Sequence, residues 1–202
     1  MKGKNRKAWV YANHLRQVRG AVSAYVAHSH QYPTADEWGQ LELTGSGGPL
    51  LPYLAEGQAT FICPQKQGAI RPGNPNPAFG LFSYGYNGAG AAPEGRDLEL
   101  GLGLLRRICE SRVKIPSEMI EAGDSGLGEL LEGLLNPTEI PSLKEAQVTE
   151  NVRWTSPRHR GRANFLFCDN HVSCGRRKHW VQKTPESRRQ WSNDNQPHRE
   201  IW

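Results

Sequence analysis

The chain has 202 residues, enough for one domain with a genuine core, and 36 of them are glycine or proline (22 Gly, 14 Pro), about 18% against a globular average of roughly 12%. That excess, with 37% apolar residues and a mean hydropathy of −0.67, argues against a helical bundle and for a loop-rich α+β domain. The apolar runs are short (Phe165-Leu166-Phe167-Cys168 is the longest strong one), which excludes a membrane-spanning helix of about 18 residues or more within this sequence.

Residues 1–20 carry six Lys/Arg and no acid. After a basic run at 2–7, residues 9–30 read as a helix, because Leu15, Val18, Val22 and Tyr25 recur at helical spacing, with Ala21 and Val26 flanking them. Arg16, Gln17, Arg19 and Ser23 take the opposite face, and Pro33 is the expected stop. Thr34 and Glu37 have capping-box spacing and predict a short helix through Trp38 and Leu41. Residues 59–63 read as a short strand. Residues 64–96 hold five prolines and seven glycines and predict irregular loop, broken by the aromatic stretch Ser83-Tyr-Gly-Tyr-Asn87. Residues 98–105 are apolar but punctuated by Gly101 and Gly103, and 112–115 is a short strand candidate.

Residues 117–150 are acidic, with a short helix expected at 127–135; Asp124 and the Glu residues there read as a solvated face. Across 21–150 there are 8 basic and 16 acidic residues; across 151–202 there are 11 and 4. A basic tail admits nucleic-acid binding through 153–177, but its Arg and Lys are interleaved with Trp, Pro and Asn, which suits a packed surface. The strongest local signal is a hairpin at 163–174 around Asp169-Asn170, which predicts Phe165 opposite Cys174 and Phe167 opposite Val172. In that register Cys168 and Cys174 point to opposite faces, so no disulfide joins them.

No internal repeat, serine nucleophile elbow, HExxH or phosphate-binding loop occurs, and no residue is assigned a catalytic role. The four cysteines (Cys63, Cys109, Cys168, Cys174) form no CxxC pair. His159 and Asp169 are the candidate metal ligands, for calcium or zinc, but a strand between them would hold them roughly 17–20 Å apart. A structural hydrogen bond to loop backbone is the simpler expectation for either, and no cofactor is required.

Several segments, taken in order, resemble one bacterial family. His159, nine residues, then Asp169-Asn170-His171 is similar to the His-x9-Asp-Gly signature of prepilin-type domains, with Asn170 where the family has Gly. Asn13-His-Leu-Arg-Gln17, Tyr32-Pro33, Phe61-Ile-Cys-Pro64, Ser83-Tyr-Gly-Tyr-Asn87, Pro116-Ser-Glu-Met-Ile120 and the 189–198 tail resemble further stretches of these pseudopilin and type IV pilin-like proteins. The leader, processing site and apolar helix of the family are not in this sequence, and the family cysteine that would partner Cys63 falls near Tyr11.

The resemblance implies a pilin-like α+β fold: an amphipathic N-terminal helix on a small antiparallel sheet with long Gly/Pro-rich loops. The expected organisation is a basic segment 1–8, then a globular domain 9–202 comprising helix 9–30, a loop-rich middle 31–150 and a hairpin and tail 151–202. Leu15, Val18, Val22, Tyr25, Phe165, Phe167 and Val172 should be buried, with Trp180, Trp191 and Trp202 over the sheet edge. The function implied is a non-catalytic structural subunit of a secretion or pilus-type apparatus, with other pilin-like subunits as partners and the cell envelope as location; a chain complete as written would be cytoplasmic. His159, Asp169, Asn170 and His171 are then signature residues with a structural role. A metal-dependent surface binding module and a nucleic-acid-binding protein are the alternatives. Asn170→Gly should be neutral or stabilising, since Gly relieves a positive-φ turn.

Overall fold

A helix with one apolar stripe needs a surface to bury it against, and an alternating strand pair provides one. The computed structural model describes residues 3–39, 48–54, 63, 83–92, 98–125, 137, 155 and 159–201. Helix α1 (Gly3–Ser29) buries Leu15, Val18, Ala21, Val22, Tyr25 and Val26 and leaves Arg16 and Gly20 exposed. It starts before the expected residue 9, because Lys and Arg in the basic run are good helix formers. It ends earlier than Pro33 requires. His30 adopts a left-handed φ of 56° and its N–H bonds Val26 O at 2.7 Å, capping the last turn.

The expected loop region 31–150 contains more regular structure than its glycines suggest. Strand β1 (Gln31–Tyr32) leads into α2 (Ala35–Gly39), whose capping box is made in full: Thr34 N–H donates to Glu37 Oε2 at 2.8 Å, and Glu37 N–H to Thr34 Oγ1 at 3.2 Å. Trp38 is fully buried and stacks on Tyr86 with centroids 4.8 Å apart. Tyr86 belongs to β2 (Tyr84–Tyr86), and its hydroxyl donates to Pro33 O at 2.8 Å. Leu41 and the predicted segments 59–62, 64–82 and 127–135 lie outside the described residues.

Residues 98–105 form bends, not an element; Gly101 lies so close to Gly88 and Gly90 that a Cβ there would meet Gly88 O at 2.2 Å. The strand expected at 112–115 falls earlier, as β3 (Ile108–Cys109) pairing with β1. Arg112 ends a 3-10 turn (Glu110–Arg112), and only Val113 of 112–115 is buried, so the stretch offers no strand face.

Strand β4 (Ile120–Asp124) corrects the solvated-face reading of the acidic region: Glu121 and Asp124 are buried. It is the second strand of an antiparallel sheet in the order β2-β4-β5-β6, with β5 (Arg162–Phe167) and β6 (Val172–Arg176) as the hairpin. The hairpin register is one residue off the expected one: Phe165 opposes Ser173, Leu166 opposes Val172 and Asn164 opposes Cys174. The reason is the loop. Asn170 N–H bonds Phe167 O at 2.8 Å, and Asn170 follows that turn at φ 77°, so the connection takes three residues instead of two.

The shift moves Val172 and Cys174 to the face of Leu166, away from Phe165 and Phe167. Val172 is accordingly half-buried under α1. The face argument against a Cys168–Cys174 disulfide therefore fails, yet no disulfide joins any of the four cysteines. Cys174 sits opposite Asn164, about 13 Å along the strand from Cys168.

Each face of the sheet has its own cover. Ala122, Leu166, Tyr84 and Tyr86 pack with α1. Ile120, Ala163, Phe165 and Phe167 pack with Trp180, Val181 and Trp191 from the tail. The tail runs through α3 (Arg177–Val181) and α4 (Pro185–Arg188), the latter capped by Thr184, and into the turn Arg189–Trp191. Trp180 and Trp191 thus cover the sheet's face, not its edge, because the aromatic ladder Phe165/Phe167 gives them a flat apolar surface. Trp202 lies outside the described residues. Trp191 Nε1–H donates to Trp180 O at 2.8 Å, so the buried indole is satisfied.

Candidate functional site

The residue before β5 is held by a tight turn. His159 N–H bonds Arg162 O at 3.2 Å and Arg162 N–H bonds His159 O at 3.3 Å, with Arg160 and Gly161 both left-handed, at φ 57° and 82°. Two positive φ values in a two-residue connection define a type I′ turn, which favours Gly at its second position. The turn directs the His159 ring at β4. Its Nε2 lies 3.3 Å from Asp124 Oδ1 and 3.1 Å from Oδ2.

Asp124 is fully buried, and its Oδ2 accepts from Asn164 N–H at 2.6 Å and Asn164 Nδ2–H at 3.0 Å. Cys63, also fully buried, completes the group: the donor atoms of Cys63, Asp124 and His159 all lie within 4.8 Å of one another. Burial opposes a charge on His159, but hydrogen bonds to Asp124 and Cys63 outweigh it and push the imidazole up to about 9. The group can hold a buried imidazolium–carboxylate pair, or offer nitrogen, oxygen and sulfur to one metal ion.

Asp169, Asn170 and His171 lie at the far end of β5. Asp169 Oδ1 accepts from His171 N–H at 3.1 Å and meets His171 Nδ1 at 2.6 Å, while the His171 ring stacks on Phe167. Asp169 N–H bonds Pro116 O at 3.2 Å, and Cys168 N–H bonds Met119 O at 3.0 Å, tying the tip to the stretch before β4. Asn170 Oδ1 accepts from Ser23 Oγ on α1 at 2.5 Å.

His159 and Asp169 therefore flank β5 and share no site; the candidate metal pair is not brought together, and His159 instead groups with Asp124 and Cys63. The Asp169 carboxylate bonds loop backbone at His171 N–H, whereas the His159 ring bonds the side chains of Asp124 and Cys63. The nine-residue spacing spans one tight turn, one six-residue strand and the hairpin tip.

One more buried acid went unanticipated. Glu121 is the extra residue of a bulge, since Ile120 opposes Phe167 and Ala122 opposes Leu166. Among the described residues its Oε1 has no hydrogen-bond partner, and burial pushes the carboxyl up to about 8 against the pull of Arg19. Neither Asp124 nor Glu121 carries a local signal of burial, because the partners come from far along the chain; the Arg160-Gly161 pair is the one turn signal that could have aimed His159. Comparison of the chain with models of protein families, with curated proteins and with solved structures gave no match.

Proposed function

We propose that the chain is the globular domain of a non-catalytic structural subunit, similar to type II secretion pseudopilins and type IV pilin-like proteins. The observation that carries this reading is the seating of α1. One long N-terminal helix lays a single apolar stripe on a four-stranded antiparallel sheet, and the tip of the last hairpin is fastened to it through Ser23 and Asn170. A subunit built this way presents its helix as a spine and its sheet as a rigid body behind it. The His-x9-Asp spacing supports the same reading, with His159 anchoring one end of β5 and Asp169 the other.

The partners are then other pilin-like subunits and the place of action the cell envelope. Among the described residues no helix is long and apolar enough to cross a membrane. Two experiments test it. The coding DNA upstream of Met1 should carry an in-frame leader and apolar helix. Fractionation of the source cells should place the chain in the envelope, cross-linked to a second pilin-like protein. A chain found wholly in the cytosol, with a stop codon directly upstream, would end the reading.

A further inference from the structure

We propose that Cys63, Asp124 and His159 form a zinc site that ties Cys63 to the β4–β5 core. The three residues come from three separate stretches of chain, yet their ligand atoms converge within 4.8 Å. Tetrahedral zinc, with bonds of about 2.0–2.3 Å, sets its donors about 3.3–3.8 Å apart. The 3.3 Å between His159 Nε2 and Asp124 Oδ1 meets the short end of that range. Cys63 Sγ lies within 4.8 Å of both other donors.

The donor chemistry selects the ion. Thiolate and imidazole suit zinc, while calcium and magnesium require oxygen ligands in larger number. The supporting contacts are those of a prepared ligand set. Asn164 fixes the Asp124 carboxylate with two hydrogen bonds, and the Arg160-Gly161 turn fixes the His159 backbone. His159 is the member nearest solvent, with its side chain 11% exposed, so water can complete the coordination and the ion has a way in. Binding would exchange the Cys63 thiol proton and the proton between His159 and Asp124 for metal–ligand bonds.

The test uses the full chain with Cys109→Ser and Cys174→Ser, which removes the two exposed thiols. After chelator treatment, Zn2+ titrated against a chromophoric chelator should bind at one equivalent, and Co2+ should give a thiolate-to-metal charge-transfer band. Cys63→Ser should abolish the band, and His159→Gln should weaken Zn2+ at least 10-fold. Asn164→Ala, which keeps all three ligands, should weaken it about 10- to 100-fold. Circular dichroism checks that each variant is folded. The Co2+ spectrum of the parent needs no ligand variant. No charge-transfer band in that parent would overturn the proposal. So would Zn2+ affinity unchanged by Cys63→Ser, or Ca2+ binding in place of Zn2+.

Discussion

Replacing Glu121 by Gln should stabilise the protein at neutral and alkaline pH and flatten its pH dependence. The carboxyl is fully buried in the β4 bulge, near enough to Tyr32, Tyr86, Cys168 and Arg19 of α1 for their charges to be felt. Burial raises it from 4.5 to about 8, so the folded protein keeps a proton that the unfolded chain releases. The sign follows directly. This contribution is fully present below about pH 4.5 and falls until pH 8, where the folded state ionises too. At roughly 1.4 kcal/mol per pH unit the full loss is on the order of 4–5 kcal/mol, and about 3 by pH 7. Gln has the same shape and no proton to lose. Urea denaturation of both proteins from pH 4.5 to 8.5 should show near-equal stability at the acid end. At pH 8 the variant should lead by at least about 1 kcal/mol, a midpoint shift near 0.5 M for a urea slope of about 2 kcal/mol/M. Because the two proteins share every other titrating group, only Glu121 enters the difference. Parallel pH profiles, or a wild-type lead that grows with pH, would refute the reasoning.

The Ser23–Asn170 hydrogen bond alters what is expected of the hairpin tip. Asn170→Gly gains up to about 1 kcal/mol at φ 77° but loses a bond of similar size, so thermal melts should show a change under about 1 kcal/mol; made in a Ser23→Ala background, the same substitution should be clearly stabilising. A double-mutant cycle with no coupling would show that the bond contributes nothing. Gly175→Ala should cost about 1–3 kcal/mol and shift tryptophan fluorescence, because a Cβ there would meet the Trp180 ring at 2.8–2.9 Å. The chain alone should sediment as a monomer at micromolar concentration, since α1 turns its apolar stripe inward and leaves Arg16 to solvent. A stable higher oligomer at physiological salt would mean another surface carries assembly.

What was legible in the sequence was whatever repeats at short range. The stripe from Leu15 to Val26, the Thr34–Glu37 box and the alternating hairpin all report on neighbours a few residues away, and all three elements are in the fold. The hairpin's register was not legible to the last residue, because Asn170 supports either a two- or a three-residue loop and only the tie to Ser23 and Pro116 distinguishes them. The buried group was hidden for the same reason on a larger scale. Asp124 lies 35 residues from His159, and its polar side chain is buried through Asn164 and His159, neither of which any periodicity links to it. Glu121 hid behind its neighbours: a glutamate in an acidic, Gly-punctuated stretch reads as solvated until a bulge turns it under the helix.

The tie between Ser23 and Asn170 spans 147 residues, and that length has a kinetic meaning. The surface that covers the stripe of α1 includes β5 and β6, which begin at Arg162, long after α1 ends at Ser29. At about 5–20 residues per second, roughly 8–30 s pass between synthesis of the helix and synthesis of the hairpin. Throughout that interval Leu15, Val18 and Val22 have no hairpin to bury them, and non-local pairing of this kind closes slowly even once the chain is complete. The nascent helix is therefore a ready target for a chaperone or a membrane surface before it is a spine for its own domain.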